Sequence, residues 1–90
     1  MDKGTKATLD HELEGAERHV EEGQRLLERE RKSIEERKRH GHDSGLATVL
    51  LGELEEAQRN HIAHRDLIRR EIAIEEGVPV SARRDLARDQ

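Results

Sequence analysis

Residues 13–39 read LEGAERHVEEGQRLLERERKSIEERKR, and they decide the fold because one formula recurs in them every seven residues. An apolar residue (Leu13, Val20, Leu27, Ile34) is followed at once by an acid (Glu14, Glu21, Glu28, Glu35), and four positions after each acid comes a base (Arg18, Arg25, Lys32, Arg39). A seven-residue apolar repeat lays one stripe along a helix, and Glu and Lys or Arg at i and i+4 are neighbours one turn apart on its surface. The stretch predicts a long helix with one buried seam and a salt-bridged outer face. It describes packing and contains no catalytic motif.

Working outward, Thr8 before Leu9, Asp10 and Glu12 reads as an N-cap with acids in the first turn, which starts the helix near Leu9. Arg37, Lys38 and Arg39 supply the basic last turn, and Gly41 is the residue type that most easily takes a left-handed C-cap. Asp43 or Ser44 can cap a second helix, so the connection is short and the two helices are antiparallel neighbours. The second helix carries Leu46, Val49, Leu50, Leu51, Leu54, Ala57, Ile62, Leu67, Ile68, Ile72 and Ile74 and stops at Gly77, with Pro79 beyond. The expected organisation is a flexible segment 1–8, a helix 9–40, a turn 41–44, a helix 45–76 and a polar tail 78–90, in which Ser81 can cap a short helical turn. The expected fold class is all-α: a coiled-coil-like helical hairpin whose seam includes Leu13, Val20, Leu27, Ile34, Leu50, Leu54, Ile62, Ile68 and Ile72.

Composition bounds what such a hairpin can do. The 90 residues are 42% charged and contain no Phe, Trp, Tyr or Cys, which excludes a large core, disulfides, zinc ribbons and thiol catalysis. The net charge of −4 argues against whole-molecule attraction to nucleic acid or anionic lipid. The N-terminus has no apolar h-region and no stretch is long and apolar enough to span a bilayer, so a cytoplasmic location is expected. Two helices bury one face each, and a chain of this size is marginal without disulfides, metal or oligomerisation. Leu51, Ile62 and Ile72 add apolar surface to the second helix beyond a single seam line, so the expected partner is a second copy, forming a homodimeric four-helix bundle.

With the turn near His42 and Asp43, His61 and His64 fall roughly opposite Gly23 and Val20. His19 lies near the same level on the facing helix. His19, His61 and His64 therefore form a candidate metal set of zinc type, with Asp66 and Glu22 as outer partners. The plainer expectation is that Gly23 makes room for an imidazole bonded to a backbone carbonyl or an acid. Two seam histidines also suggest a pH sensor, since like charges in a seam repel. A di-iron carboxylate site is excluded, because it needs Glu three residues before a His on two helices, and the residues at that offset are Ala16, Arg37, Gln58 and His61.

The run from Arg29 to Arg39 is locally basic near the hairpin tip and suggests a phosphate-binding patch. Interleaved Glu30, Glu35 and Glu36, and the lack of aromatic residues for base stacking, favour a solvated helix face instead. The triplet His64-Arg65-Asp66 matches the kinase catalytic-loop tripeptide by accident, since it lies within a helix and every other kinase element is missing. Ser33, Ser44 and Ser81 have helix, cap or tail context and no activating partner.

The residues Ala16-Glu17-Arg18-His19-Val20 with Glu22-Gly23, then Gly41-His42-Asp43-Ser44, then His64-Arg65-Asp66-Leu67 resemble a group of short uncharacterised helical-hairpin proteins of alphaproteobacteria of the rhizobial type. The resemblance spans about residues 16–72. It implies a bacterial helical hairpin and brings no activity, ligand or catalytic residue with it. In that group the turn reads Gly-His-Asp-Thr and the second helix opens with more alanine and acid than residues 45–51 do here.

The expected function is thus that of a non-enzymatic interaction module, a self-associating hairpin without cofactor that presents its charged faces to another protein. A metal-binding bundle using His19, His61 and His64 is the alternative, and a small RNA-binding regulator the second. Neither membrane nor nucleic acid is an expected partner of the first reading.

Overall fold

A computed structural model describes residues 3–77, which form two α-helices, α1 (Lys3–Arg39) and α2 (Gly45–Glu75). The expected tail 78–90, with Ser81, lies outside the described residues. The helices pack along their length as an antiparallel hairpin, the expected all-α class, in a body 59 × 26 × 14 Å. Cross-helix ion pairs mark the antiparallel register from one end to the other: Lys6–Glu76, Glu17–Arg69 and Arg31–Glu55.

On α1 the inward positions step by four and three residues: Leu9, Leu13, Ala16, Val20, Gly23, Leu27, Glu30 and Ile34. Leu9, Ala16, Leu27 and Ile34 are buried, while Leu13, Val20 and Gly23 are half-buried. Arg37, the next position of the series, is exposed. Alternating steps of three and four average 3.5 residues, close enough to the helical 3.6 to hold one line against a partner over eight positions.

The facing line on α2 is Ala47, Leu51, Leu54, Gln58, His61, Arg65, Ile68 and Ile72, with Gln58 and Ile68 buried and the others half-buried. This corrects the expectation for Leu50, which is 44% exposed while its neighbour Leu51 takes the seam. Once Leu54 is followed inward by Gln58, a step of four, the preceding step must be three, which selects Leu51. Ile62 is half-buried at the seam edge beside His61. The surplus apolar surface of α2 is therefore carried not by Leu51, Ile62 and Ile72 but by Leu46, Val49, Leu50, Leu67 and Ile74.

Helix α1 begins at Lys3, earlier than the start expected at Leu9, so Thr8 is a helical residue and Asp10 and Glu12 lie beyond the first turn. Two features give the extra turns a partner: Leu9 is buried, and Lys6 Nζ lies 3.0 Å from Glu76 Oε2 just past α2. The C-terminus follows expectation. Gly41 has φ +72°, and the N–H groups of Gly41 and His42 donate to the carbonyls of Lys38 (3.1 Å) and Arg37 (2.8 Å), the paired bonds of a Schellman motif. Gly77 repeats the left-handed conformation after α2, with φ +73°. At the start of α2 Ser44 stands at the N-cap but its side chain makes no capping bond; the Asp43 Oδ1 before it accepts from the Gly45 N–H at 2.9 Å.

Of the four expected i,i+4 ion pairs, Glu21–Arg25 closes, at 3.7 Å, and it is the one that does so among the described residues. Exposed pairs of this kind gain too little to hold two long side chains in one geometry. The seven-residue charge pattern therefore dresses the surface rather than bracing it. Among the described residues no helix is long and apolar enough to cross a membrane.

Candidate functional site

The middle of the seam is polar. Gln58 is 5% exposed and sits against Gly23, where a Cβ would collide with its Oε1 and lie 2.8 Å from its Cδ. Its Nε2 donates to the Val20 carbonyl at 2.9 Å, and its Oε1 is buried without a partner. The space at Gly23 thus serves a glutamine amide, correcting the expectation of an imidazole there.

One turn along α2, His61 meets His19 with ring centroids 5.5 Å apart and planes tilted by 40°, and His61 Nδ1 is buried without a hydrogen-bond partner. The structure therefore brings together two of the three candidate metal ligands and not the third. His64 is exposed, because the seam advances from His61 by four residues to Arg65 and leaves position 64 on the flank. Among the described residues no group of three or more His, Cys, Asp or Glu side chains is placed to hold a metal ion.

Asp66, expected to support a histidine, serves arginines instead. It is 4% exposed, and its Oδ1 lies 3.0 Å from Arg65 Nη2 and 3.8 Å from Arg69 Nη1. Arg65 also donates Nε–H to it at 3.1 Å, and Arg69 reaches across to Glu17 at 3.5 Å. A buried carboxylate thus holds two guanidiniums of its own helix, one of which reaches Glu17 on α1.

At the hairpin tip the surface changes character. Leu46 is 86% exposed, Val49 61% and Leu50 44%, all within the first two turns of α2. Leu46, Ala47 and Leu50 line an open groove of about 360 Å³ whose remaining walls are Glu30, Arg37 and Asp43. Among the described residues Glu30 and Arg37 have no ion-pair partner within the chain. A second groove of about 430 Å³ runs over the last turns of α1 and is lined by Arg29, Lys32, Ser33, Glu36, Arg37, His40 and His42.

The sequence reading named the basic run and the histidines but missed Gln58 and the tip groove. Gln58 was legible in principle: a heptad line drawn back from Ile68 passes through Arg65, His61 and Gln58 and sets the glutamine against the glycine of α1. Comparisons with protein-family models, curated proteins and solved structures find no match for this chain.

Proposed function

We propose that the chain is a cytoplasmic, self-associating interaction module that acts by binding rather than catalysis, with a second copy of itself as the first partner and a four-helix bundle as the assembly. The observation that carries this reading is the tip groove. Leu46, Val49 and Leu50 form an apolar patch larger than isolated exposed leucines would make, on a hairpin in which no described side chain is completely enclosed.

A second copy suits the groove because its charged walls are self-complementary. Glu30 and Arg37 flank Leu46 and Leu50, and a two-fold axis brings Glu30 of each copy toward Arg37 of the other while the leucines meet between them. Covering the patch would remove the leucines from water at roughly 25 cal/mol per Å² of apolar surface. The outer faces of the bundle, dense in Glu, Lys and Arg, remain for other proteins.

Native mass spectrometry of the untagged chain beside Leu46→Asp/Leu50→Asp tests the reading. A wild-type dimer and a monomeric, still helical variant are expected. A wild-type monomer at the concentration of the experiment would overturn self-association and assign the patch to a different protein.

A further inference from the structure

The groove over the last turns of α1 is chemically unlike the apolar one. Its walls hold three permanent cations, Arg29, Lys32 and Arg37, one hydroxyl, Ser33, two imidazoles, His40 and His42, and a single carboxylate, Glu36. The cations are not spent on neighbours: among the described residues, neither Arg29, Lys32 nor Arg37 has an ion pair, although Glu28 and Glu36 stand in the same heptads. With both imidazoles neutral the lining still has an excess of positive charge.

The helix end itself would repel an anion through its free carbonyls, but three of those are occupied. Glu36 O accepts from the His40 N–H at 3.2 Å, Lys38 O from Gly41 and Arg37 O from His42. Glu36 O, which can only accept, also takes His40 Nδ1–H at 2.8 Å, so the imidazole turns its other nitrogen outward as an edge that donates once protonated. The His42 ring lies 6.2 Å from that of His40, setting two imidazoles side by side at the end of the cationic row.

From these observations we infer that this groove is a binding site for a compact multivalent phosphate anion, a chain of two or three linked phosphates gripped by Arg29, Lys32 and Arg37. Linked phosphates fit better than a single one, because the cations are spread along about 12 Å of helix, from Arg29 to Arg37 at 1.5 Å per residue. Charge-assisted bonds from arginine and lysine to phosphate oxygens are the strong hydrogen bonds available to such a surface. A long nucleic acid is disfavoured by the net charge of −4 and the absence of Phe, Trp and Tyr for stacking. Arg29 and Lys32 lie outside the apolar groove and carry the inference whether or not the chain dimerises; Arg37 lines both grooves and joins the grip where no second copy engages it.

Titration of the ¹⁵N-labelled full chain with inorganic tripolyphosphate, followed by amide chemical shifts, is the test. Shift changes confined to residues 29–42 are expected, with affinity falling at least tenfold in Arg29→Ala/Lys32→Ala and retained in Arg29→Lys. Both residues are exposed, so the double variant should keep its helical circular dichroism. A parallel titration with ATP separates the sources of the phosphates: tighter binding than tripolyphosphate assigns a nucleotide, and equal or weaker binding assigns the phosphate chain alone. Leu46→Ser/Leu50→Ser, which removes the apolar patch without adding charge beside Arg37, should bind as the wild type does. The inference is overturned by no saturable shift, by shifts spread equally over Arg59, Arg65 and Arg70, or by sulfate binding as tightly as tripolyphosphate.

Discussion

Gln58 and Gly23 share one space: the amide of the first fills the volume that any side chain on the second would need. The consequence is a coupling that can be measured. Gly23→Ala gains about 1 kcal/mol of helix propensity, but it expels the Gln58 amide and gives up the bond to Val20 O, also worth about 1 kcal/mol. The two effects should nearly cancel in the wild type. In a Gln58→Ala background the amide is gone and the full propensity gain of about 1 kcal/mol should appear. Urea denaturation of the four proteins checks this, and equal effects of Gly23→Ala in both backgrounds would refute the shared space.

Gln58→Leu isolates the cost of the unpartnered oxygen. Val20 O belongs to the interior of α1 and keeps its helical partner when Nε2 is removed, so the substitution deletes a buried polar atom without leaving another one unpaired. Stability should rise by about 1 kcal/mol. A buried polar residue at a seam position also specifies register, and Gln58→Leu should therefore broaden the amide spectrum of residues 51–65 as neighbouring alignments become accessible.

The charge network around Asp66 separates buried from exposed pairs. Asp66→Asn leaves Arg65, whose side chain is 17% exposed, without its anion, and should cost about 3 kcal/mol. Glu17→Gln breaks a pair in which the carboxylate side chain is 45% exposed and should cost less than about 1 kcal/mol. Thermal unfolding followed by circular dichroism distinguishes the two. Equal effects would mean that Asp66 is held by packing rather than by its arginines.

Leu50 and Leu51 show how far the seam was legible in sequence. The α1 stripe could be read directly, because Leu13, Val20, Leu27 and Ile34 repeat every seven residues and one spacing fits them; Leu9, four residues before Leu13, extends the same line. Helix α2 has apolar residues at 49, 50, 51 and 54, so hydrophobicity alone leaves the line free to rotate by one residue; the polar positions Gln58, His61 and Arg65 decide it, and these look like surface in isolation. The same rotation separated His64 from His61 and His19. Leu51→Asp should lower hairpin stability by more than 2 kcal/mol, whereas Leu50→Asp should leave urea unfolding of the monomer nearly unchanged and weaken only association. Ile68→Asp, at a position 3% exposed, should abolish helicity.

Lys6 and Glu76 join the open end of the hairpin, and their pair has a pH signature of fixed sign. The hydrogen bond that Lys6 donates to Glu76, then the Glu76 charge, raises the Lys6 ammonium above its ordinary pKa of 10.5. A group whose pKa is higher in the folded chain contributes stability that is fully present below the unfolded value and is lost as pH rises through the folded one. The Lys6 contribution is thus fully present at neutral pH and is lost in alkali. Glu76→Gln should lower the urea midpoint slightly at pH 8, and the difference from wild type should shrink as pH rises past the raised Lys6 pKa and the ammonium is lost. Because both side chains are more than two-fifths exposed, added salt at pH 8 should shrink that difference as well. A difference that survives both treatments would assign the effect of Glu76 to the end of α2 rather than to Lys6.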